Sequence, residues 1–314
     1  SLLPHPENAW DIPTTFYEKS KIRIKFEPFV DLPRGFQDSA GGIIDDYMIS
    51  TGGFCGGNYE SQWLEPYCCG ERGFLKDTYA LNLKDKNGRW EKIAAFPGMA
   101  RQSHACVRAN NALYCWGGFS YSPAPTSMSL KTLKNTKKEN PYGYNDGYKL
   151  VKKNNVWKWS PLPSVPSFQG AGTAICYSEA ADAIYMVGGS DYDTEQFHTI
   201  SSRTGEILRV GAMGWKFNLK TLEWSQLPDL PGSERMNHAV SCIGDQVIVI
   251  GGSTGGTSKA GGETTFYTVV DNWSYSIRTN EWSRLRDTPY AIGNQGNSVV
   301  YKNRYVMLVG GAGY

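Results

Sequence analysis

Apolar and polar residues alternate with period two through short stretches along most of the chain, and each stretch closes on a turn rich in Asn, Asp or Gly. No helical period is sustained over several turns, so the pattern predicts an all-β protein. One order of elements recurs five times. An aromatic residue stands at Phe26, Trp90, Trp159, Trp224 and Trp282, and seven positions after each comes a proline: Pro33, Pro97, Pro166, Pro231 and Pro289. An alternating strand, a tight turn, an apolar strand and a glycine pair follow each proline. The pairs are Gly52-Gly53, Gly117-Gly118, Gly188-Gly189, Gly251-Gly252 and Gly310-Gly311. The strand pair opens at Ser39, His104, His238 and Asn297, with a longer hairpin, 178–182, in the third copy. Third strands are predicted at 79–83, 147–151, 215–219 and 273–277, and the repeat aromatic marks the fourth.

Four strands per unit, with glycines ending the second and an aromatic on the fourth, resemble the kelch repeat, whose units build the blades of a β-propeller. Arg101-x-x-His104-Ala105 and Arg235-x-x-His238-Ala239 are similar to the family's opening of the first strand. The resemblance covers 14–311. It implies a kelch-like β-propeller as one domain over 14–314, preceded by a polar arm at 1–13. Strands at 15–17 and 22–26 match the missing half of the last unit. The expected architecture is therefore five four-stranded blades, the last closed by N-terminal strands, because a ring leaves no sheet edge open. The alternative is a fragment of a six- or seven-bladed propeller.

Composition narrows the function. Lys plus Arg (32) nearly balance Asp plus Glu (30), for a net charge of +2. Nucleic acid binding would need a clustered basic excess, so it is not expected. No run of apolar residues is long enough to insert in a membrane.

Seven cysteines bear on compartment. A two-residue turn at Asn110-Asn111 places Cys106 directly opposite Cys115 as a non-hydrogen-bonded pair, where a disulfide is geometrically allowed. Two buried thiols are the alternative. Cys55 is expected to bridge to Cys68 or Cys69 across a long loop, and Cys176 and Cys242 are read as small core residues. Bridges imply a secreted or luminal protein; free thiols imply a cytoplasmic one.

Catalytic chemistry has weak support. Asp191, Asp193, Glu195 and His198 share one loop and are read as solvated. The stretch 39–54 looks like part of the copper-radical oxidases, yet no Tyr-His pair accompanies it, and neither metal nor other cofactor is expected. The stretch 90–118 is similar to bacterial kelch mutarotases that act on sialic acid, which keeps a sugar-acting enzyme, mutarotase- or epimerase-like, as the alternative to a binding protein.

The candidate ligand site lies where the connections into the innermost strands meet. Gln37, Gln102, Gln169 and Gln295, with Asn237 in the fourth unit, repeat around that end and supply amide donors and acceptors. Arg101 and Arg235 accompany them. The connections 54–77, 119–147, 190–214 and 253–270 are long, and Trp63, Tyr67, Tyr121 and Tyr192 offer stacking faces. The expected partner is a polar small molecule, a glycan or a protein.

Overall fold

The computed structural model describes residues 25, 29–33, 35–55, 73–121, 141–167, 170, 172–190, 207–208, 211–257, 265–289, 291–293 and 298–308. Two compact units divide the chain, Ser1–Asp31 and Leu32–Tyr314. In the first unit the described residues are exposed, with Phe29 and Val30 among them. The N-terminal strands expected to close the last blade, and the arm before them, lie outside the described residues.

The second unit is all-β. Its first sheet runs Ala40–Ile44, Tyr47–Thr51, Thr78–Asn82, Glu91–Lys92 from inner to outer strand. The second runs Gln102–Ala109, Ala112–Tyr121, Gly147–Lys153, Val156–Leu162; the third runs Ala174–Ser178, Ala183–Val187, Gly214–Asn218, Trp224–Leu227. The fourth runs Ala239–Ile243, Gln246–Ile250, Asn272–Ser276, Glu281–Leu285, and Ser298–Tyr301 with Tyr305–Leu308 forms the fifth. All pairings are antiparallel, as short sequential hairpins require. The predicted third strands fall close to those observed.

The core lies between the sheets. Side chains alternate across each strand, so Leu113 and Cys115 pack on Ile44 and Ile49 of the first sheet, whereas Trp116 packs on Met186 and Phe217 of the third. Val187 and Tyr185 in turn join Val247, Val249 and Tyr275 of the fourth. Strands packed on both faces need apolar residues at consecutive positions, and Ala183–Val187 is buried throughout. Each fully buried side chain of this size contributes about 1.5–3 kcal/mol.

Two readings need correction. The long connections carry strands of their own: Phe54–Cys55 pairs with Gly73–Phe74, Pro141–Gly143 pairs with the end of Ala112–Tyr121, and Ser253–Thr257 pairs with Thr265–Thr268. Backbone leaving the glycine pairs still has donors and acceptors to satisfy, and hairpin extension satisfies them. Ile207–Leu208 adds to Ser253–Thr257, which ties the connections of the third and fourth sheets together.

The second correction concerns Cys176 and Cys242, which form a disulfide between the inner strands of the third and fourth sheets, with Cα atoms 5.6 Å apart. Adjacent inner strands come within bridging distance only after the sheets pack, which pattern alone does not reveal. Cys106–Cys115 is bridged as the hairpin register predicts, with Cα atoms 4.2 Å apart. Cys55 is also disulfide-bonded; the choice between Cys68 and Cys69 lies outside the described residues.

Candidate functional site

The inner strands surround a cavity of about 930 Å³, lined by residues from each of the first to fifth sheets named above. At one end lie the connections that enter the inner strands. There Asp38, Ser103, Gly172 and Asn237 take left-handed backbone conformations, with φ of 53°, 54°, 62° and 52°. Asp and Asn tolerate this region better than most residues, and glycine adopts it freely.

A backbone chain joins the four. Ser103 N–H donates to the Asp38 carbonyl at 2.9 Å, Gly172 N–H to Ser103 at 3.2 Å, and Asn237 N–H to Gly172 at 2.7 Å. Each bond crosses from one sheet to the next, so the four residues form a continuous collar at the cavity mouth. These donors are engaged along the collar. Asp38, Ser103 and Asn237 supply a carboxylate, a hydroxyl and an amide to the same cavity, with Ser39 and Thr173 beside them. A Cβ on Gly172 would lie 2.5 Å from Asn237 Oδ1, so the missing side chain leaves room for that amide.

Of the residues expected at this site, Gln102 stands at the rim, and its amide donates to Asp38 Oδ2 at 3.2 Å. Gln37 is exposed and exchanges two backbone hydrogen bonds with Phe54, at 2.9 and 3.0 Å. Asn237 lines the cavity itself. Gly172 takes the place in the third sheet that Asp38 takes in the first, which moves the match away from Gln169. Gln169, Gln295, Trp63, Tyr67 and Tyr192 lie outside the described residues, as does the Asp191 to His198 cluster; Tyr121 is described as the last residue of its strand.

Asp38 and Ser103 are the residues that sequence reasoning missed. Their signal was available only as the position between two noted residues, Gln37 and Ser39 or Gln102 and His104. Burial holds the Asp38 carboxyl above its ordinary value.

Arg101 and Arg235 are placed differently from the expectation of ligand contact. Both are fully buried. Arg101 grips Asp146 with two hydrogen bonds and donates to the Gly117 carbonyl at 2.8 Å. Arg235 donates to Asp271 Oδ2 at 2.6 Å and to the Gly251 carbonyl at 3.0 Å. Each guanidinium thus ties the start of an inner strand to the end of the second strand and to the connection entering the third.

The histidines that follow pack between sheets. His104 lies against Gly52 and His238 against Gly188, at points where a Cβ would come within 2.5 and 2.8 Å of a ring carbon. Both imidazoles are buried, and both are pushed down to about 3 by burial and then by the neighbouring arginine. They are neutral at pH 7.

The glycine pairs complete the joint. Gly53 N–H donates to Arg101 C=O, Gly118 to Gly170, Gly189 to Arg235 and Gly252 to Ile292, at 2.7–2.8 Å. One contact, repeated from each sheet to the next, accounts for the glycines, the arginines and the histidines together. The chain is a kelch-type β-propeller.

Comparisons agree with that assignment. The propeller is 22% identical over 312 residues to an N-acetylneuraminate epimerase of Haemophilus influenzae, covering 92% of this chain and 72% of that protein. A kelch domain-containing protein of Vibrio cholerae is 22% identical over 290 residues, covering 92% of this chain and 61% of the other. The solved structure of YjhT superposes with a TM-score of 0.54 at 19% identity, covering 85% of this chain and 70% of that one. No family model matches the chain.

Asn272, in a formal glycosylation sequon, is 5% exposed. Its amide donates to the Arg286 carbonyl at 2.8 Å and accepts from Gly251 N–H at 3.2 Å. A glycan would have to grow from an amide nitrogen that is buried and engaged, so the sequon is structural. Among the described residues no group of three His, Cys, Asp or Glu side chains gathers to hold a metal ion, and no helix is long and apolar enough to cross a membrane.

Proposed function

We propose that this propeller binds a hydroxyl-rich small molecule of sugar type at the collar. The observation that carries the reading is the convergence of Asp38, Ser103 and Asn237, from three different sheets, on one cavity. Hydroxyl groups donate and accept at once, and a mixed set of carboxylate, hydroxyl and amide matches them. The disulfides support action in an oxidising compartment, so the protein is secreted or luminal in this reading.

A second reading is a sugar-acting enzyme. The epimerase relatives favour it, as does a carboxyl at the cavity mouth whose proton affinity is raised by burial. Calorimetric titration with a monosaccharide panel tests binding, and polarimetry of freshly dissolved anomers tests turnover. Ser103→Gly and Asn237→Gly keep the left-handed backbone while deleting the polar group. Both should weaken binding; unchanged affinity in both would place the ligand elsewhere.

A further inference from the structure

Resting on that reading, we propose that Asp38 makes the collar a subsite for hydrogen-bond donors, so that the preferred ligand presents an ammonium or hydroxyl group there rather than a carboxylate.

Arg101 and Arg235 enter the collar region from the second and fourth sheets, but their guanidinium groups are buried against Asp146, Asp271 and backbone carbonyls. Arg108 lines the same cavity beside the hairpin turn at its far end, and its Nε donates to the Asn110 carbonyl at 3.1 Å. Among the described collar side chains, the one formal charge is the carboxylate of Asp38. The backbone N–H groups of Ser103, Gly172 and Asn237, which would otherwise welcome an anion, donate along the collar.

The carboxylate is held in place. Asp38 contributes its own carbonyl to the collar, and Gln102 donates to one carboxylate oxygen at 3.2 Å. A carboxylate oxygen accepts more than one hydrogen bond, and Oδ1 adds further acceptor capacity. A donor on the ligand therefore meets a positioned acceptor. A carboxylate on the ligand meets like charge there, and the two repel. Ser103 and Asn237 complete the subsite with a hydroxyl and an amide that suit the remaining hydroxyls.

The experiment titrates glucosamine, glucose and N-acetylneuraminate into the wild type and Asp38→Asn, with thermal melting to confirm folding. Charge-assisted hydrogen bonds are roughly twice as strong as neutral ones. Wild type should therefore bind glucosamine most tightly and N-acetylneuraminate least, and Asp38→Asn should lose about tenfold for glucosamine with a smaller change for glucose. If wild type binds N-acetylneuraminate most tightly, or if Asp38→Asn weakens glucosamine no more than glucose, the role of Asp38 is overturned while sugar binding stands. If none of the sugars binds the folded wild type, both this inference and the sugar-binding reading fail.

Discussion

Trp224 donates its indole N–H to the carbonyl of Pro163 at 3.2 Å, across the boundary between the third and second sheets. Trp159 makes the same bond to Ala94 at 2.9 Å, and Trp282 to Pro228 at 2.8 Å. Each acceptor stands four positions after the repeat aromatic of the preceding sheet, within the segment that leads to the repeat proline. The aromatic thus joins outer strands as the glycine pair joins inner ones. Trp282→Phe keeps most of the apolar surface and removes the donor, so it should cost about 1 kcal/mol. The midpoint of urea unfolding checks this, with Trp224→Phe as a second instance.

His104 and His238 make stability depend on pH. Their pKa in the folded state is about 3, against about 6.5 for an unfolded histidine. Between those values the unfolded chain takes up protons that the folded protein refuses, so stability falls as pH falls below 6.5. Each histidine contributes up to about 1.4 kcal/mol per pH unit across that window. Urea unfolding between pH 6.5 and 5, above the usual carboxylate range, should show this slope. Single His104→Gln and His238→Gln variants should each flatten it, even if both begin less stable at pH 7.

Two glycines with similar backbone angles should respond unequally to alanine. Gly188 has φ of 60°, and a Cβ there would come within 2.5 Å of the Arg235 carbonyl oxygen and 2.8 Å of His238. Gly244 has φ of 57° with open space around it. Gly244→Ala should cost about 1–2 kcal/mol for the left-handed backbone alone. Gly188→Ala should cost clearly more, since the neighbouring sheet must also shift. Equal losses in melting temperature would show that the joint between sheets is softer than the packing indicates.

The two described disulfides should also differ. Cys176–Cys242 spans 66 positions and Cys106–Cys115 spans 9. Chain entropy alone then gives about 4 kcal/mol for the first and about 3 kcal/mol for the second. Replacing Cys176 and Cys242 together with Ala should lower the urea midpoint more than replacing Cys106 and Cys115. Free-thiol counting on freshly isolated protein checks that both bridges exist before the comparison.

The sequence by itself determined the repeating order of strands and turns. Strand order, the Asn110-Asn111 turn and the Cys106–Cys115 bridge follow from side-chain alternation and turn chemistry within one hairpin, and both are local. The same holds for the kelch assignment, because a contact made between successive sheets leaves the same residues at the same spacing in each copy. Tertiary structure decided what happens between copies. The Cys176–Cys242 bridge and the collar that brings Asp38 to Ser103 and Asn237 each join residues on different sheets. Their distances depend on how sheets pack around the cavity, and pattern carries no record of that. Asp38 shows the limit most plainly. Nothing in its own neighbourhood marks it as part of a collar until three other left-handed residues stand beside it at the same mouth.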